Sequence, residues 1–182
     1  MPVLLRAVPA LHQLTREERM QLMSCLNGML QREGRVSLPS YVLRKLAQVQ
    51  LRDDLEPRAR TRHLTLSAVQ KDLQTLFSVL ARHGHLEQAG ARRAYEAGVH
   101  HILPRERPAY AVLDAWAGPL DVALSRLDRL APLAKEQLIE AMVKTVTHDQ
   151  RLTIGEAELL RAVCATLHCP LPPLVISKRG PI

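Results

Sequence analysis

The sequence predicts an all-α fold, a helical bundle built from two pseudo-repeated helix-turn-helix units. Hydrophobic residues make up 47% of the chain but aromatic residues only 3%, so Leu, Ala and Val must fill the core. Ala and Leu are strong helix formers, whereas β-branched and aromatic residues favour strands. Apolar residues recur at helical spacing in most segments, and two of these segments share one pattern of residue classes. No segment has the pattern of a convincing strand.

The N-terminal part contains two predicted helices joined by a short turn. Between Arg16 and Gln31 the apolar residues fall on one helical face: Leu22, Cys25, Leu26, Met29 and Leu30. Thr15 precedes this helix, and Glu18 follows three residues later, which is the pattern of a capping box. Ser37 is the predicted cap of the second helix. The charged segment from Gln50 to Leu66 lacks periodicity and is predicted to be a surface loop.

The middle of the chain is predicted to be a helical insert over residues 66–130. We expect helices over residues 67–82 and, after a turn at Gly84, up to Gly98, where the glycine predicts a stop. Residues 109–130 are predicted to be helical with a break at Gly118–Pro119, because proline cannot continue a helix interior. Pro132 can begin the next helix, and residues 153–167 form the last. The prolines that follow favour an extended tail over residues 169–182.

An internal repeat organises the chain. At an offset of 116 residues, Glu33 aligns with Asp149, Ser37 with Thr153, and other apolar and polar positions keep their class. Each copy consists of a helix, an acidic turn and a capped helix. We therefore predict one helical domain over residues 1–182, with repeat units at about 15–50 and 131–168 that pack as a pseudo-symmetric bundle.

Charge and cysteine content limit the class of function. The net charge is +7, but the basic residues are scattered, and aromatic residues that would stack on bases are scarce. Solvated helix faces are thus favoured over a nucleic-acid interface. Three cysteines on or beside apolar helical stretches predict reduced, buried thiols (Cys25, Cys164 and Cys169). No apolar run reaches the roughly 18 residues of a membrane span, so we expect the chain as given to be soluble.

The turn around Asp149 is the strongest candidate site in the sequence. Asp149 and Glu156, with Glu33 from the first copy, are candidate oxygen ligands of a divalent cation such as calcium or magnesium. The structural interpretation is more economical, because Thr153 and Glu156 have the spacing of a capping box, worth about 1 kcal/mol. The first copy has Ser40 where Glu156 stands, and the spacing is not that of an EF-hand. We therefore favour the cap and expect no cofactor.

No catalytic motif is present in the chain. It lacks the HExxH and GxSxG motifs, the P-loop and the dinucleotide-binding glycine motif. His83 and His85 flank a glycine, and His100–His101 are adjacent, so neither pair shares one helical face. Cys164 and Cys169 lack the CxxC pairing of structural zinc sites. We predict that this chain is not an enzyme.

Three segments resemble a known family. They are "DQRLTIGEAELLRAVCATLHCPLPPL" (Asp149–Leu174), "LQREGRVSLPSYVLRKL" (Leu30–Leu46) and "VLARHGHLEQAGARRAYEAG" (Val79–Gly98). They resemble the C-terminal region of bacterial membrane metallopeptidases of the HtpX-like class, family forty-eight of the metallopeptidases. The resemblance implies a TerB-like, or tellurite-resistance-like, helical fold. In that larger family, acidic residues at Asp-Gly joints have been linked to divalent-ion binding. Gln150 stands in place of the joint glycine and Glu33 in place of the Asp, which weakens the metal interpretation.

The resemblance also implies a non-catalytic binding domain. It would be the cytoplasmic C-terminal part of a membrane zinc peptidase, with the catalytic HExxH and the membrane spans upstream of Met1. The domain would then lie at the cytoplasmic face of the bacterial inner membrane and meet the membrane only through the parent protein. Its partner would be another protein, the neighbouring peptidase domain or a second copy in a homodimer, docked on an exposed apolar patch at Val3, Leu4 and Leu5. A divalent-ion sensor is the alternative, and a nucleic-acid or anionic-membrane binder is less favoured.

Overall fold

The computed structural model describes residue 11 and residues 13–32, 34–52 and 63–172. The chain divides into two compact units, Met1–Thr61 and Arg62–Ile182. In the described residues seven α-helices form and no strand does, apart from an isolated bridge between Leu64 and Leu130. The predicted all-α class is therefore confirmed.

The first unit contains α1 (Arg16–Arg32) and α2 (Leu38–Arg52), which contact each other. The predicted capping box of α1 is confirmed, because the Thr15 amide donates to Oε2 of Glu18 at 2.8 Å and the Glu18 amide donates to Oγ1 of Thr15 at 3.3 Å. The hydrogen bonds that the amide and the hydroxyl of Thr15 donate to the Glu18 carboxylate lower its pKa, since they favour the charged form. At α2 the Ser40 amide donates to Oγ of Ser37 at 3.3 Å, as expected for the predicted cap.

The predicted apolar face of α1 is less buried than its spacing suggests. None of the described side chains of α1 is buried, and Met29 is 66% exposed. The buried apolar side chains of the described part of this unit lie on α2, namely Tyr41, Val42, Ala47 and Leu51. Periodicity predicts the helix but does not say whether its apolar face is covered. The prediction of a buried thiol at Cys25 is wrong, because this side chain is exposed.

The second unit contains a one-turn 3-10 helix (Leu66–Val69) and five α-helices. These are α3 (Gln70–Gly84), α4 (Gln88–Ile102), α5 (Ala117–Leu127), α6 (Pro132–Val146) and α7 (Ile154–Thr166). Helix α3 contacts each of the other four α-helices, so it lies at the centre of the unit. Its buried side chains include Leu73, Leu76, Phe77 and Leu80, and the surrounding core is mostly aliphatic, as the composition predicts.

Gly98 continues α4 rather than ending it, so the predicted stop is wrong. The residue is buried, and a Cβ built there would overlap Oγ1 of Thr145 and lie 2.8 Å from Cε1 of Phe77. The glycine thus allows α4 to approach α6 and α3 closely. Its role is in helix packing, where the missing side chain matters more than the conformational freedom that marks a turn.

Helix α5 begins at Ala117, later in the chain than predicted. The preceding segment is not helical, and side chains from α3 and α4 bind backbone carbonyl groups at its start. Nε2 of Gln74 donates to the carbonyl oxygen of Ala109 at 2.7 Å, and the hydroxyl of Tyr95 donates to the carbonyl oxygen of Pro108 at 2.7 Å. These tertiary contacts replace helical hydrogen bonds. The Gly-Pro pair lies in the first turn of α5, where the missing amide of proline costs little.

The single tryptophan of the chain lies just before α5. The ring of Trp116 meets the ring of His83 edge to face, with centroids 4.7 Å apart and an angle of 72° between the planes. Burial lowers the pKa of His83, because it disfavours the charged imidazolium, and Arg82 acts in the same direction. This contact joins the end of α3 to the start of α5.

Both copies of the predicted repeat form a helix, a turn and a second helix. The second helices begin at Leu38 and Ile154, which are separated by the predicted offset. The repeat itself and the single domain stay predictions. Four residues singled out from the sequence, Val3, Leu4, Leu5 and Glu33, lie outside the described residues, as does most of the predicted tail. No helix in the described ranges is long and apolar enough to cross a membrane.

Candidate functional site

A capping box and a side-chain hydrogen bond from Asp149 shape the turn between α6 and α7. The amide and hydroxyl of Thr153 donate to Oε2 of Glu156 at 2.9 and 2.8 Å, and the Glu156 amide donates to Oγ1 of Thr153 at 3.1 Å. This is the predicted capping box. Oδ1 of Asp149 accepts from the amide of Arg151 at 2.9 Å. Each of the two candidate carboxylates therefore uses one oxygen to bind the backbone of the turn.

Gln150 takes the left-handed backbone conformation in the middle of this turn. Its φ is 61°, and its amide donates to the carbonyl oxygen of Thr147 at 3.0 Å. For a residue with a Cβ this conformation costs about 1–2 kcal/mol, and glycine adopts it freely. Gln150 is also the residue that replaces the glycine of the resembled family pattern. The departure in sequence falls on a position whose backbone favours glycine.

His85 reaches this turn from the end of α3. Its Nε2 lies 3.6 Å from Oδ2 of Asp149, and its ring stacks on that of His148 with centroids 6.0 Å apart. Its Nδ1 lies 3.1 Å from the carbonyl oxygen of Ala81. Because a carbonyl oxygen can only accept, Nδ1 carries a proton and Nε2 is left facing Asp149. We call His85, Asp149 and Glu156 the joint cluster.

Two glycines make room for the joint cluster. A Cβ on Gly84 would overlap Oε1 of Glu156, and a Cβ on Gly90 would lie 2.9 Å from Cδ2 of His85. The corner between α3 and α4 is therefore shaped around these two side chains. A larger residue at Gly84 would force Glu156 out of its position.

Glu156 is an unusual group, because a carboxylate is rarely so deeply buried. The residue is 1% exposed, and Oε1 has no hydrogen-bond partner. Burial raises the pKa of its carboxyl group, and the charge of Asp149 acts in the same direction, whereas the bonds from Thr153 and the charge of His85 oppose the shift. A buried charged oxygen without a partner is costly, so burial favours the neutral form.

The joint cluster brings together one imidazole and two carboxyl groups beside the turn that precedes α7. Asp149 and Glu156 lie near one another as the sequence suggests, whereas the sequence did not connect His85 with them. In the part of the chain that the structure describes, no group of three or more His, Cys, Asp or Glu side chains is arranged to hold a metal ion. Divalent-ion binding stays a prediction.

Two exposed aliphatic side chains flank the joint cluster. Leu86 follows His85 and is 99% exposed, and Ile154 is the first residue of α7 and is 83% exposed. Because Glu156 fills the space beside Gly84, these side chains lie at the same end of the second unit. Burying a side chain of this size contributes about 1.5–3 kcal/mol of favourable free energy. Neither Leu86 nor Ile154 makes this contribution in the isolated chain, because both side chains are exposed.

In comparisons with protein-family models, curated proteins and solved structures, nothing matches the chain. The resemblance to the helical region of HtpX-like peptidases, and the TerB-like fold that it implies, therefore stay predictions.

Proposed function

We propose that the chain is a non-catalytic helical docking domain whose second unit binds a protein segment. The observation that carries this proposal is the exposure of Leu86 and Ile154 at one end of that unit. Apolar side chains that lie together on a surface are typical of interaction sites, whereas single ones are common and need no explanation. The joint cluster holds the backbone next to both side chains. The capping box of Glu156 fixes the start of α7 beside Ile154, and the close approach of Gly84 to Glu156 fixes the corner before Leu86.

The docking surface can be tested with a photo-crosslinking amino acid placed at Leu86 or Ile154 in the host cell. Val122 and Leu133 are matched controls, because they are aliphatic and exposed but lie on α5 and α6. We expect both test positions to crosslink to the same protein and the control positions not to. Equal adducts from Val122, or no adduct from either test position, would contradict the proposal.

A double variant tests whether the apolar contact itself carries the affinity. Leu86→Asp with Ile154→Asp places two charges on the proposed surface and should abolish the adduct formed from a neighbouring position such as Arg151. Val122→Asp with Leu133→Asp adds the same charges elsewhere and should leave the adduct unchanged. Equal loss in both double variants would show that added charge, rather than the surface, is responsible.

In its finer form the proposal makes this domain the cytoplasmic C-terminal part of a membrane zinc peptidase, docked on the neighbouring peptidase domain. The resemblance of the segment from Asp149 to Leu174 and the all-helical fold support this form. Reading the coding region upstream of Met1 tests it directly. An in-frame HExxH motif and apolar spans would support the parent peptidase. A start codon at Met1 with its own ribosome-binding site would contradict it, and docking to a separate protein would remain.

A second candidate function, divalent-ion sensing, is favoured by the unpartnered Oε1 of Glu156 beside Asp149. Specific binding must stabilise the native state, by about 2.7 kcal/mol when the free ion is a hundredfold above its dissociation constant. Titration with calcium or magnesium should then raise the melting temperature of the wild type but not that of Asp149→Asn. An unchanged wild-type melting temperature would remove this candidate.

A further inference from the structure

We propose that Cys164 and Cys169 form a dithiol site that a low-molecular-weight disulfide, such as glutathione disulfide, converts reversibly into an intramolecular disulfide. The two thiols lie at the opposite end of α7 from the joint cluster, and the proposed docking function does not use them.

Helix α7 ends in a Schellman motif that pairs the two cysteines. The amide of Cys169 donates to the carbonyl oxygen of Cys164 at 2.9 Å, and that of His168 donates to the carbonyl oxygen of Ala165 at 3.1 Å. His168 has a φ of 53°, the left-handed conformation that this motif requires. In a Schellman motif the side chains at the positions of Cys164 and Cys169 commonly contact each other. Cys164 and Cys169 therefore occupy the two backbone positions of this motif whose side chains commonly meet.

The hydrogen bond between the two residues also limits their separation. Standard bond lengths on either side of this 2.9 Å contact keep the two Cα atoms within about 7 Å of each other. A disulfide requires Cα atoms no more than about 7 Å apart, so the backbone need not move far to form one. Burial raises the pKa of Cys164 to about 12, and the charge of the neighbouring Cys169 acts in the same direction.

Cys169 is the thiol that a reagent reaches first. It is half-buried, whereas Cys164 is 1% exposed. Sγ of Cys169 donates to the carbonyl oxygen of Leu167 at 3.4 Å, and the same oxygen accepts from Nζ of Lys135 at 2.9 Å. Burial raises the pKa of Cys169, the Lys135 ammonium lowers it, and Asp128 raises it. Lys135 thus stabilises the thiolate that begins the exchange.

The reaction balances as two exchange steps. Cys169 releases its proton to solvent, and its thiolate attacks one sulfur of glutathione disulfide, so that a mixed disulfide forms and one glutathione leaves. Cys164 then releases its proton and attacks the sulfur of Cys169, and the second glutathione leaves. Two protein thiols are oxidised and one glutathione disulfide is reduced to two glutathiones. Both protein thiols have a raised pKa, so the exchange should be slow at neutral pH and faster as pH rises.

The test uses the full chain with Cys25→Ser, because the exposed Cys25 would otherwise join two chains. The folded protein is incubated with glutathione disulfide at mildly alkaline pH. It is then denatured in the presence of N-ethylmaleimide, which alkylates any free thiol, and its mass is measured by mass spectrometry. We expect the chain to lose two hydrogen atoms and to take up no maleimide. The loss should map to the tryptic peptide Ala162–Lys178, which contains both cysteines, and dithiothreitol should reverse it.

Two further variants separate the steps. Cys25→Ser with Cys164→Ala should stop at one glutathione on Cys169, and Cys25→Ser with Cys169→Ala should not react while folded, because Cys164 is buried. Circular dichroism checks that each variant is folded, and if one is not, the Cys25→Ser protein alone decides. Two free thiols after prolonged incubation of that protein, or a stable glutathione adduct on it, would overturn the proposal.

Discussion

Gln150 adopts a backbone conformation that residues with a Cβ rarely take. Its φ of 61° favours glycine. We expect Gln150→Gly to raise the free energy of unfolding by about 1 kcal/mol, the cost of the left-handed conformation less the greater flexibility of glycine in the unfolded chain. Urea unfolding measures the change. Gln137→Gly, on an exposed position of α6, is the matched control and should be destabilising by about 1 kcal/mol. A loss of stability at both positions would contradict this account of the turn.

The carboxyl group of Glu156 should make stability depend on pH. Its pKa is raised in the folded protein, mainly by burial, so the folded state binds this proton more tightly than the unfolded state. The contribution of the group to stability is therefore complete below 4.5, the ordinary value, and is lost as pH rises through the raised value. Glu156→Gln removes the titration and keeps an oxygen for the Thr153 cap.

We expect the free energy of unfolding of Glu156→Gln, relative to the wild type, to improve as pH rises above 4.5. Urea unfolding of both proteins across this range measures the trend. A difference that stays constant with pH, or that changes in the opposite direction, would show that the carboxyl group does not titrate as its burial indicates.

At this scale the sequence predicts interactions between near neighbours and misses distant ones. The capping box was predictable because Thr153 and Glu156 stand three residues apart, which is all that the motif requires. The approach of His85 was not, because it depends on how α3 packs beside α7. The glutamine itself gives no signal for the positive φ of residue 150, which only the glycine of the resembled family pattern suggests.

Helices α4 and α6 are held close together at Gly98. A methyl group there must displace Oγ1 of Thr145 and the ring of Phe77, and overpacking of this kind costs about 1–3 kcal/mol. We expect Gly98→Ala to lower the free energy of unfolding by this amount, measured by urea unfolding. Gly118→Ala is the matched control, because nothing lies within 4 Å of a Cβ at that position of α5. Equal effects of the two substitutions would contradict close packing at Gly98.

The charges at the end of α7 should control the rate of the proposed thiol exchange. In the Cys25→Ser chain we expect Lys135→Met to slow the reaction with glutathione disulfide by about fivefold, the equivalent of about 1 kcal/mol for a partly exposed charge. Asp128→Asn should speed it, because Asp128 raises the pKa of Cys169 whereas Lys135 lowers it. Loss of free thiols over time measures both rates. A merely structural role for the Lys135–Asp128 pair would change both rates in the same direction.

The existence of each helix could be predicted from apolar spacing, but the ends of some could not. Gly98 has the features of a helix stop, yet it lies buried within α4, because a Cβ at this position would overlap Thr145 of α6. The segment before α5 has a helical composition, yet Gln74 and Tyr95 bind its backbone carbonyls. In both cases a contact between distant parts of the chain overrides the local preference.

The second unit has a core of its own, in which α3 is surrounded by the other four helices. We expect a fragment of residues 62–182 to unfold cooperatively on heating, as measured by far-ultraviolet circular dichroism. Leu80→Asp, at a buried position, should abolish the cooperative transition, whereas Leu86→Asp, at an exposed one, should leave it nearly unchanged. A gradual transition in the unsubstituted fragment would show that this core is insufficient on its own.

Composition predicted the mostly aliphatic set of side chains buried in the described residues, because a chain with 3% aromatic residues has few other side chains to bury. The division into two units was not predicted, although its boundary at Thr61 falls within the charged, non-periodic segment from Gln50 to Leu66. Such a segment predicts a connection but not whether the parts on either side share one core. That outcome depends on the summed packing of many side chains, which no local pattern contains.

The position of Trp116 makes the two units optically distinct. The chain has one tryptophan, and it lies in the second unit, so emission excited selectively from tryptophan follows that unit and leaves out Tyr41 of the first unit. Far-ultraviolet dichroism follows the helices of both units. A gap between the two melting curves would resolve two unfolding events in one uncut, unlabelled chain, and superimposed curves would mean that the halves unfold together.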